Sequence, residues 1–215
     1  MIKESRGIIS LCSKSIVSVH TSNFSEAKKL RAQAGRELEA LRRVADTDLT
    51  KYILVPEQEY VECSVMISVS TLKAIPLLGE LGVKPASYIL GLLDAIGELK
   101  RIVYDDIRQG KLSSADHVFS TMEALYTMIS PFAVYDNIVQ GVKRKLDVAR
   151  MLIEDTRSTI TEEARREEFV SALNELSSKL GTRAFLRKSA IRKDSQSDLN
   201  LRQPEENKDG ILEES

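Results

Sequence analysis

The chain has 215 residues, of which 42% are hydrophobic and 29% are charged, and its formal net charge is −1. This length and apolar content predict one sizeable core and therefore a single folded domain. A nearly neutral chain has no overall attraction to nucleic acid, so any binding of phosphates must come from a local basic patch.

The composition favours an all-α fold over a sandwich or barrel, because the chain has only five prolines, ten glycines and no tryptophan. Its two cysteines, Cys12 and Cys63, lack a CxxC spacing, which excludes a disulfide framework or a zinc knuckle and predicts buried thiols. The sequence shows no basic-flanked apolar leader and no apolar run long enough to span a membrane. We therefore expect a cytoplasmic protein.

Apolar residues recur at spacings of three and four along most of the chain and predict about seven helices. Pro56 lies within the third helix and predicts a kink or a fresh start there. Residues 65–72 alternate as a strand would, but a lone strand has nothing to pair with, so a helix is favoured. In chain order, helices are expected at residues 2–20, 25–46, 50–74, 85–110, 113–131, 138–156 and 161–180.

The end of the chain differs in composition from the rest. Thr161 opens an N-terminal signal for the last helix, and Gly181 is placed to end it. From Thr182 onward the residues are polar, carry both charge signs and include few apolar side chains. The sequence therefore predicts a helical domain at residues 1–181 and a disordered polar tail at residues 182–215.

The fourth predicted helix, residues 85–110, is the one around which the others are expected to pack. Gly91 and Gly97 lie inside it, where each costs roughly 1 kcal/mol relative to alanine, so we expect another element to approach the backbone there. Asp94 and Glu98 lie beside the apolar stripe with an i,i+4 spacing. This pair indicates either a nearby cation or a solvated acidic edge.

Several catalytic motifs are absent from the sequence, including the P-loop, the dinucleotide-binding glycine motif, GxSxG and HExxH. With only His20 and His117, the Glu-x-x-His pairs of a di-iron bundle are missing as well. We expect both histidines to serve structure or solvation and not to act as ligands or bases. Carboxylates are the remaining candidates for chemistry.

Glu59 and Glu62, three residues apart, face the same side of the third helix. If the third and fourth helices pack side by side, these two residues converge with Asp94 and Glu98. Four carboxylates form a hard donor set that suits Mg²⁺ or Mn²⁺. Such an ion polarises a phosphoryl oxygen and lowers the pKa of bound water, as phosphodiester hydrolysis requires. The alternative is an ordinary acidic helix surface.

Two segments, EYVEC at residues 59–63 and SYILGLLDAIGELKR at residues 87–101, resemble the translin and translin-associated factor X (TRAX) family. The order of helices agrees as well, and the resemblance covers most of the chain. It is closer to the factor X branch, in a compact form like that of prokaryotic, archaeal homologues. The chain is shorter between the third and fourth helices than the eukaryotic proteins, and its polar tail has no counterpart.

The resemblance implies an all-α fold, assembly into closed homo-oligomeric shells such as an octamer, and binding of single-stranded RNA or DNA. For the factor X branch it also implies a Mg²⁺-dependent endoribonuclease. Carried over by position, Glu59, Glu62 and Asp94 would be the catalytic residues and would bind the metal. Glu98 would be a further metal-binding carboxylate.

Basic and aromatic residues near these acids are candidates for contacts with nucleic acid. The basic residues that could bind phosphates are Arg101, Lys100, Lys51 and Lys73. Arg101 could equally neutralise the carboxylates. Tyr60 and Tyr88 could stack on bases or pack inside the protein.

The leading hypothesis from the sequence is a metal-dependent endoribonuclease for single-stranded or short RNA. One alternative is a non-catalytic nucleic-acid-binding shell of the translin type, in which the same acids are structural. A helical adaptor that binds no nucleic acid is the third hypothesis.

Overall fold

The structure is a computed structural model that describes residues 2–44 and 51–199, with Lys51 and residues 182–199 described as backbone only. Within these residues it contains seven α-helices and no strand, which confirms the predicted all-α class. A 3₁₀ turn, Ser130–Tyr135, follows the sixth helix. The helices are α1 (Ile2–His20), α2 (Phe24–Val44), α3 (Lys51–Ser70), α4 (Leu78–Leu81), α5 (Pro85–Arg108), α6 (Leu112–Ile129) and α7 (Val142–Leu199).

The chain divides into two compact units, Met1–Ala164 and Arg165–Ser215. In the first unit, α1 packs against α2 and α3, α3 packs against α5, and α5 packs against α6. The centre of this core consists of side chains from α1, α3 and α5 that are almost fully buried, among them Ile8, Val61, Val65, Met66, Leu92, Ile96 and Leu99. Burial of such side chains is the main stabilising contribution to the bundle.

The third helix continues through Pro56 as a single helix, so the fresh start that was one of the two expectations there does not occur. It ends at Ser70, four residues before its predicted end. Residues 65–70, where a strand was the alternative, are helical as predicted. The predicted end of the second helix and start of the third lie outside the described residues.

The last two predicted helices form one continuous helix, α7. The threonines near their predicted boundary make hydrogen bonds within this helix. The hydroxyl of Thr156 donates to the carbonyl of Leu152 at 2.7 Å, and the hydroxyl of Thr161 donates to the carbonyl of Arg157 at 2.8 Å. A threonine that donates to the carbonyl four residues earlier fits a helix interior and does not cap a new helix. The count of seven is kept because α4 forms where the sequence predicted a packed loop.

The backbone of α7 also continues past Gly181 to Leu199, so the helix does not end where the sequence placed its stop. Within the second unit, the described side chains include a row of exposed apolar residues at spacings of four and three, namely Phe169, Leu173, Leu176 and Leu180. The side chains after Gly181 and all of residues 200–215 lie outside the described part of the chain. The disordered polar tail predicted there stays a prediction.

None of the helices in the described residues combines the length and apolar content that crossing a membrane requires.

Candidate functional site

Helices α3 and α5 approach each other closely at Gly91. A Cβ atom at this position would lie 2.6 Å from the backbone oxygen of Gln58 and 2.7 Å from the Cβ of Val61. The close approach predicted for Gly91 is therefore confirmed. The same prediction for Gly97 is wrong, because a Cβ there would meet only the Cδ1 of Leu152, at 4.0 Å.

This packing brings together four carboxylates, Glu59 and Glu62 from α3 with Asp94 and Glu98 from α5, which we call the acidic cluster. Burial raises the pKa of Glu59, and the charge of Asp94 raises it further. Burial, together with the charges of Glu59, Asp94 and Glu98, raises the pKa of Glu62 to about 8. The four groups thus act on one another electrostatically, as neighbouring like charges do.

Lys145 of α7 provides a positive charge in the acidic cluster. Its Nζ donates hydrogen bonds to both carboxylate oxygens of Asp94. Its charge also lowers the pKa values of Glu59 and Glu62, against the effect of burial. Sequence reasoning missed this role, because Lys145 is one of several basic residues in its helix and its partner is 51 residues away.

His20, the last residue of α1, contacts the opposite end of the cluster. Its Nε2 lies 2.6 Å from Oε2 of Glu98, and its side chain is only 5% exposed. This hydrogen bond lowers the pKa of Glu98, with a smaller contribution from the charge of Arg101. The two carboxylates of the i,i+4 pair therefore have separate partners, Lys145 for Asp94 and His20 for Glu98.

The four predicted phosphate-binding residues have different surroundings. Arg101 is exposed and acts on Glu98 through its charge. Lys100 instead binds Asp155 of α7, with 2.5 Å between Nζ and Oδ2, and lies over the ring of Tyr104. Lys73 is exposed in the turn after α3, and the side chain of Lys51 lies outside the described residues.

The two tyrosines considered for base stacking have packing roles. Tyr60 is buried, with the guanidinium of Arg31 lying 5.0 Å from its ring centroid and Gly35 of α2 facing its hydroxyl. The hydroxyl of Tyr88 donates to the backbone oxygen of Pro76 at 2.9 Å.

Both cysteines are free and fully buried, as the sequence predicted. They lie on α1 and α3 beside the acidic cluster. A hydrogen bond with the thiol of Cys63, together with burial, raises the pKa of Cys12.

The donor set fits a hard divalent cation, because it consists of four carboxylates and no soft ligand. As the side chains stand, no group of three His, Cys, Asp or Glu residues in the described part of the chain is arranged to hold a metal ion. The ammonium of Lys145 lies where a cation would contact Asp94. Binding of an ion to both oxygens of Asp94 at this position would therefore require Lys145 to move.

The described fold and the acidic cluster define an all-α protein with carboxylates gathered between two packed helices. No family model matches the chain. It is 31% identical, over 163 residues, to the uncharacterized protein MJ0175 of Methanocaldococcus jannaschii, and the match covers 74% of this chain and 73% of that protein.

Solved structures of C3PO proteins have the same fold. The crystal structure of AfC3PO matches with a TM-score of 0.71 and 28% identity, over 76% of this chain and 87% of that one. AfC3PO in complex with duplex RNA matches with a TM-score of 0.68 and 27% identity over the same shares, 76% and 87%. The crystal structure of apo-NeC3PO matches with a TM-score of 0.66 and 22% identity, over 75% of this chain and 87% of that one. At this identity the match shows a likeness of fold alone.

The chain belongs to the translin family and is similar to archaeal factor X-like proteins. This confirms the family resemblance found in the sequence.

Proposed function

We propose that the protein is a metal-dependent endoribonuclease that cleaves single-stranded or short RNA. The observation that carries this proposal is the convergence of Glu59, Glu62 and Asp94 between α3 and α5, where burial and mutual repulsion raise the pKa values of both glutamates. Carboxylates packed together in a half-buried site are unfavourable without a cation. Perturbed groups of this kind are concentrated at functional sites.

In this proposal Glu59, Glu62 and Asp94 bind Mg²⁺ or Mn²⁺, and Glu98 is a further acidic member of the site. The ion, when bound, polarises a phosphoryl oxygen and activates water for attack on the phosphate. Because the pKa of Glu62 is about 8, this residue retains its proton near neutral pH and must lose it to become a ligand. Metal binding should therefore strengthen as the pH rises.

RNA is the proposed partner, and the complex of the related AfC3PO with duplex RNA supports it. Arg101 is the best placed of the candidate phosphate ligands, because it is exposed and close enough to influence Glu98. Lys100, Lys73 and Lys51 are proposed as further contacts, and Lys100 would have to release Asp155 to make them. Single-stranded DNA offers the same phosphate chemistry and is a second proposed ligand.

A closed homo-oligomeric shell, with an octamer as one form, is part of the same proposal, as is a cytoplasmic location. Exposed apolar side chains support self-association, because large exposed apolar patches mark sites of interaction. In the first unit, Val134, Ile138 and Met151 are each more than half exposed. In the second unit, Phe169 and Leu176 are more than half exposed as well.

One observation favours the non-catalytic nucleic-acid-binding alternative. Lys145 already neutralises Asp94 without any metal ion, as a purely structural acidic cluster would require. In that case the protein would bind RNA and leave it intact. A helical adaptor would not bind RNA at all.

These hypotheses are separated by measuring RNA binding without metal and RNA cleavage with Mg²⁺ or Mn²⁺ for the same variants. Glu59→Gln, Glu62→Gln and Asp94→Asn keep the side-chain shape but replace a carboxyl ligand with an amide, so cleavage should fall by orders of magnitude while binding persists. Asp116→Asn, at an exposed position on α6, is the matched control and should cleave like the wild type.

A wild type that binds RNA tightly and never cleaves it with either metal would favour the binding protein. A wild type that binds no RNA would favour the adaptor. Cleavage by all three site variants at the rate of the wild type would exclude these carboxylates as the catalytic site.

A further inference from the structure

Lys145 is held in a fixed place at the start of α7. The backbone N–H of Lys143 donates to Oδ1 of Asp136 at 3.0 Å, which caps the first turn. Val142 and Leu146, on either side of Lys145 in the sequence, are buried and fix the rotation of the helix. The lysine side chain is consequently directed at Asp94, where its Nζ contacts both carboxylate oxygens.

The contact between Lys145 and Asp94 is neither buried nor fully exposed. The two side chains are 32% and 33% exposed, so the ammonium can exchange this carboxylate for water without crossing the core. Lysine suits such an exchange, because its charge is compact, strongly hydrated and carried on a flexible stem. The basic residues just before it, Lys143 and Arg144, are exposed.

An ammonium that contacts both oxygens of Asp94 occupies the position between them that a divalent cation bound to both oxygens would take. An ion bound to Asp94 therefore has to compete with a positive charge that is attached to the protein. Two cations a few ångströms apart also repel each other strongly at the edge of a protein, where the effective dielectric constant is low. Lys145 thus opposes metal binding both by occupying its position and by its charge.

We propose that Lys145 is a resident counter-ion of the acidic cluster, which neutralises Asp94 in the free protein and yields this position to a divalent cation. This inference rests on the proposed metal-dependent function and adds a residue that sets the metal affinity of the site. On this inference, the ion pair of Lys145 with Asp94 differs from a salt bridge that only stabilises the fold. A stabilising salt bridge would support the ligands, whereas a resident counter-ion competes with the metal.

The test is a titration of the metal-free, full-length protein with MnCl₂, followed by calorimetry, for the wild type and three variants. Lys145→Met removes the charge and retains most of the stem, so Mn²⁺ should bind roughly tenfold more tightly than to the wild type. The melting temperature of Lys145→Met without metal should be lower than that of the wild type, because the cluster has lost its counter-ion. A purely structural role would lower both the melting temperature and the metal affinity.

Lys143→Met is the matched control, since it removes an equivalent charge two residues away at an exposed position, and its Mn²⁺ affinity should stay close to that of the wild type. Lys145→Arg retains the charge and should bind Mn²⁺ no more tightly than the wild type does.

An Mn²⁺ affinity that Lys145→Met leaves unchanged or weakens would overturn this inference and leave the proposed function standing. An increase equally large in Lys145→Arg would overturn it as well, because the charge would then not be the cause. Absence of Mn²⁺ binding from the wild type and all variants would overturn this inference together with the proposed function.

Discussion

Nε2 of His20 lies 2.6 Å from Oε2 of Glu98, and this hydrogen bond joins the last residue of α1 to the middle of α5. The two residues are 78 positions apart in the sequence. The bond lowers the pKa of Glu98 and thus favours the charged carboxylate. The acidic cluster is therefore attached to the bundle through α1 as well as through α3, α5 and α7.

A double-mutant cycle should measure this attachment. We expect His20→Ala and Glu98→Ala to show a coupling free energy of about 1–2 kcal/mol in urea unfolding, because the bond is nearly shielded from water on the histidine side. The matched control is the exposed pair Lys29 and Glu26 on α2, in which Nζ and Oε2 are 3.6 Å apart. This pair should show a coupling free energy close to zero. Equal couplings in the two cycles would contradict a stabilising role for the His20 bond.

The two glycines of α5 should respond to alanine in opposite directions. Gly91→Ala places a methyl group against the backbone of α3 and should lower the free energy of unfolding by about 1–3 kcal/mol. Gly97→Ala meets no obstacle and should raise it by up to about 1 kcal/mol through helix propensity. Chemical denaturation of both variants tests this, and a neutral Gly91→Ala would show that α3 and α5 do not pack as closely as described.

Glu57 is the buried acid on which the start of α5 depends. Its side chain is 2% exposed, Oε1 accepts from Nε of Arg42 at 2.9 Å, and Oε2 accepts from the backbone N–H of Lys84 at 3.1 Å. Glu57→Ala leaves both donors unpaired and should cost roughly 2–3 kcal/mol of unfolding free energy. Glu39→Ala breaks the exposed pair with Arg43 and should cost less than about 0.5 kcal/mol.

The raised pKa of Glu62 predicts how stability depends on pH. In the unfolded chain Glu62 loses its proton near its ordinary pKa of 4.5, whereas in the folded protein it keeps the proton up to about pH 8. Between these values the folded state holds more protons, so raising the pH favours unfolding. The contribution of Glu62 to stability is therefore present below pH 4.5 and lost as the pH rises towards 8.

This dependence should be measured by urea unfolding in a chelating buffer, with Glu62→Gln as the comparison. The wild type should lose stability relative to Glu62→Gln as the pH rises, because glutamine does not titrate. Glu39→Gln, at an exposed position, should follow the wild type at every pH. Parallel curves for the wild type and Glu62→Gln would show that Glu62 is not buried among like charges.

Self-association should be detectable as a particle mass in solution that exceeds the mass of one chain. Light scattering is expected to give a particle several times heavier than the chain mass of 24.0 kDa, because exposed apolar side chains remain to be covered. Removal of residues 182–215 should leave the number of subunits unchanged, since this segment has few apolar residues to form an interface. A monomer at micromolar concentration would exclude the shell.

Local signals predicted the features that depend on residues close together in sequence. The apolar spacing located most helices, and the interior position of Gly91 correctly predicted a close approach, although the same signal was wrong for Gly97. The convergence of Glu59 and Glu62 with Asp94 and Glu98 followed from helical spacing once α3 and α5 were expected to pack.

The remaining features depend on contacts between distant parts of the chain. Neither Lys145 nor His20 differs in spacing from other basic residues, and only the packing of α7 and α1 places them on Asp94 and Glu98. The continuity of α7 was missed because Thr161 resembles a cap in sequence, whereas in the helix its hydroxyl bonds to the preceding turn.

Because both cysteines are buried, their chemical modification can be used to measure local opening of the bundle. Cys12 and Cys63 are the only thiols of the chain, and each is 0% exposed, on α1 and α3 respectively. A maleimide or disulfide reagent can modify them only when α1 and α3 separate, because the burial and the Cys63 contact that raise the pKa of Cys12 are lost only in the opened state. The rate of modification in native buffer therefore reports how often the core opens. A single cysteine introduced on the surface would be labelled much faster than Cys12 or Cys63.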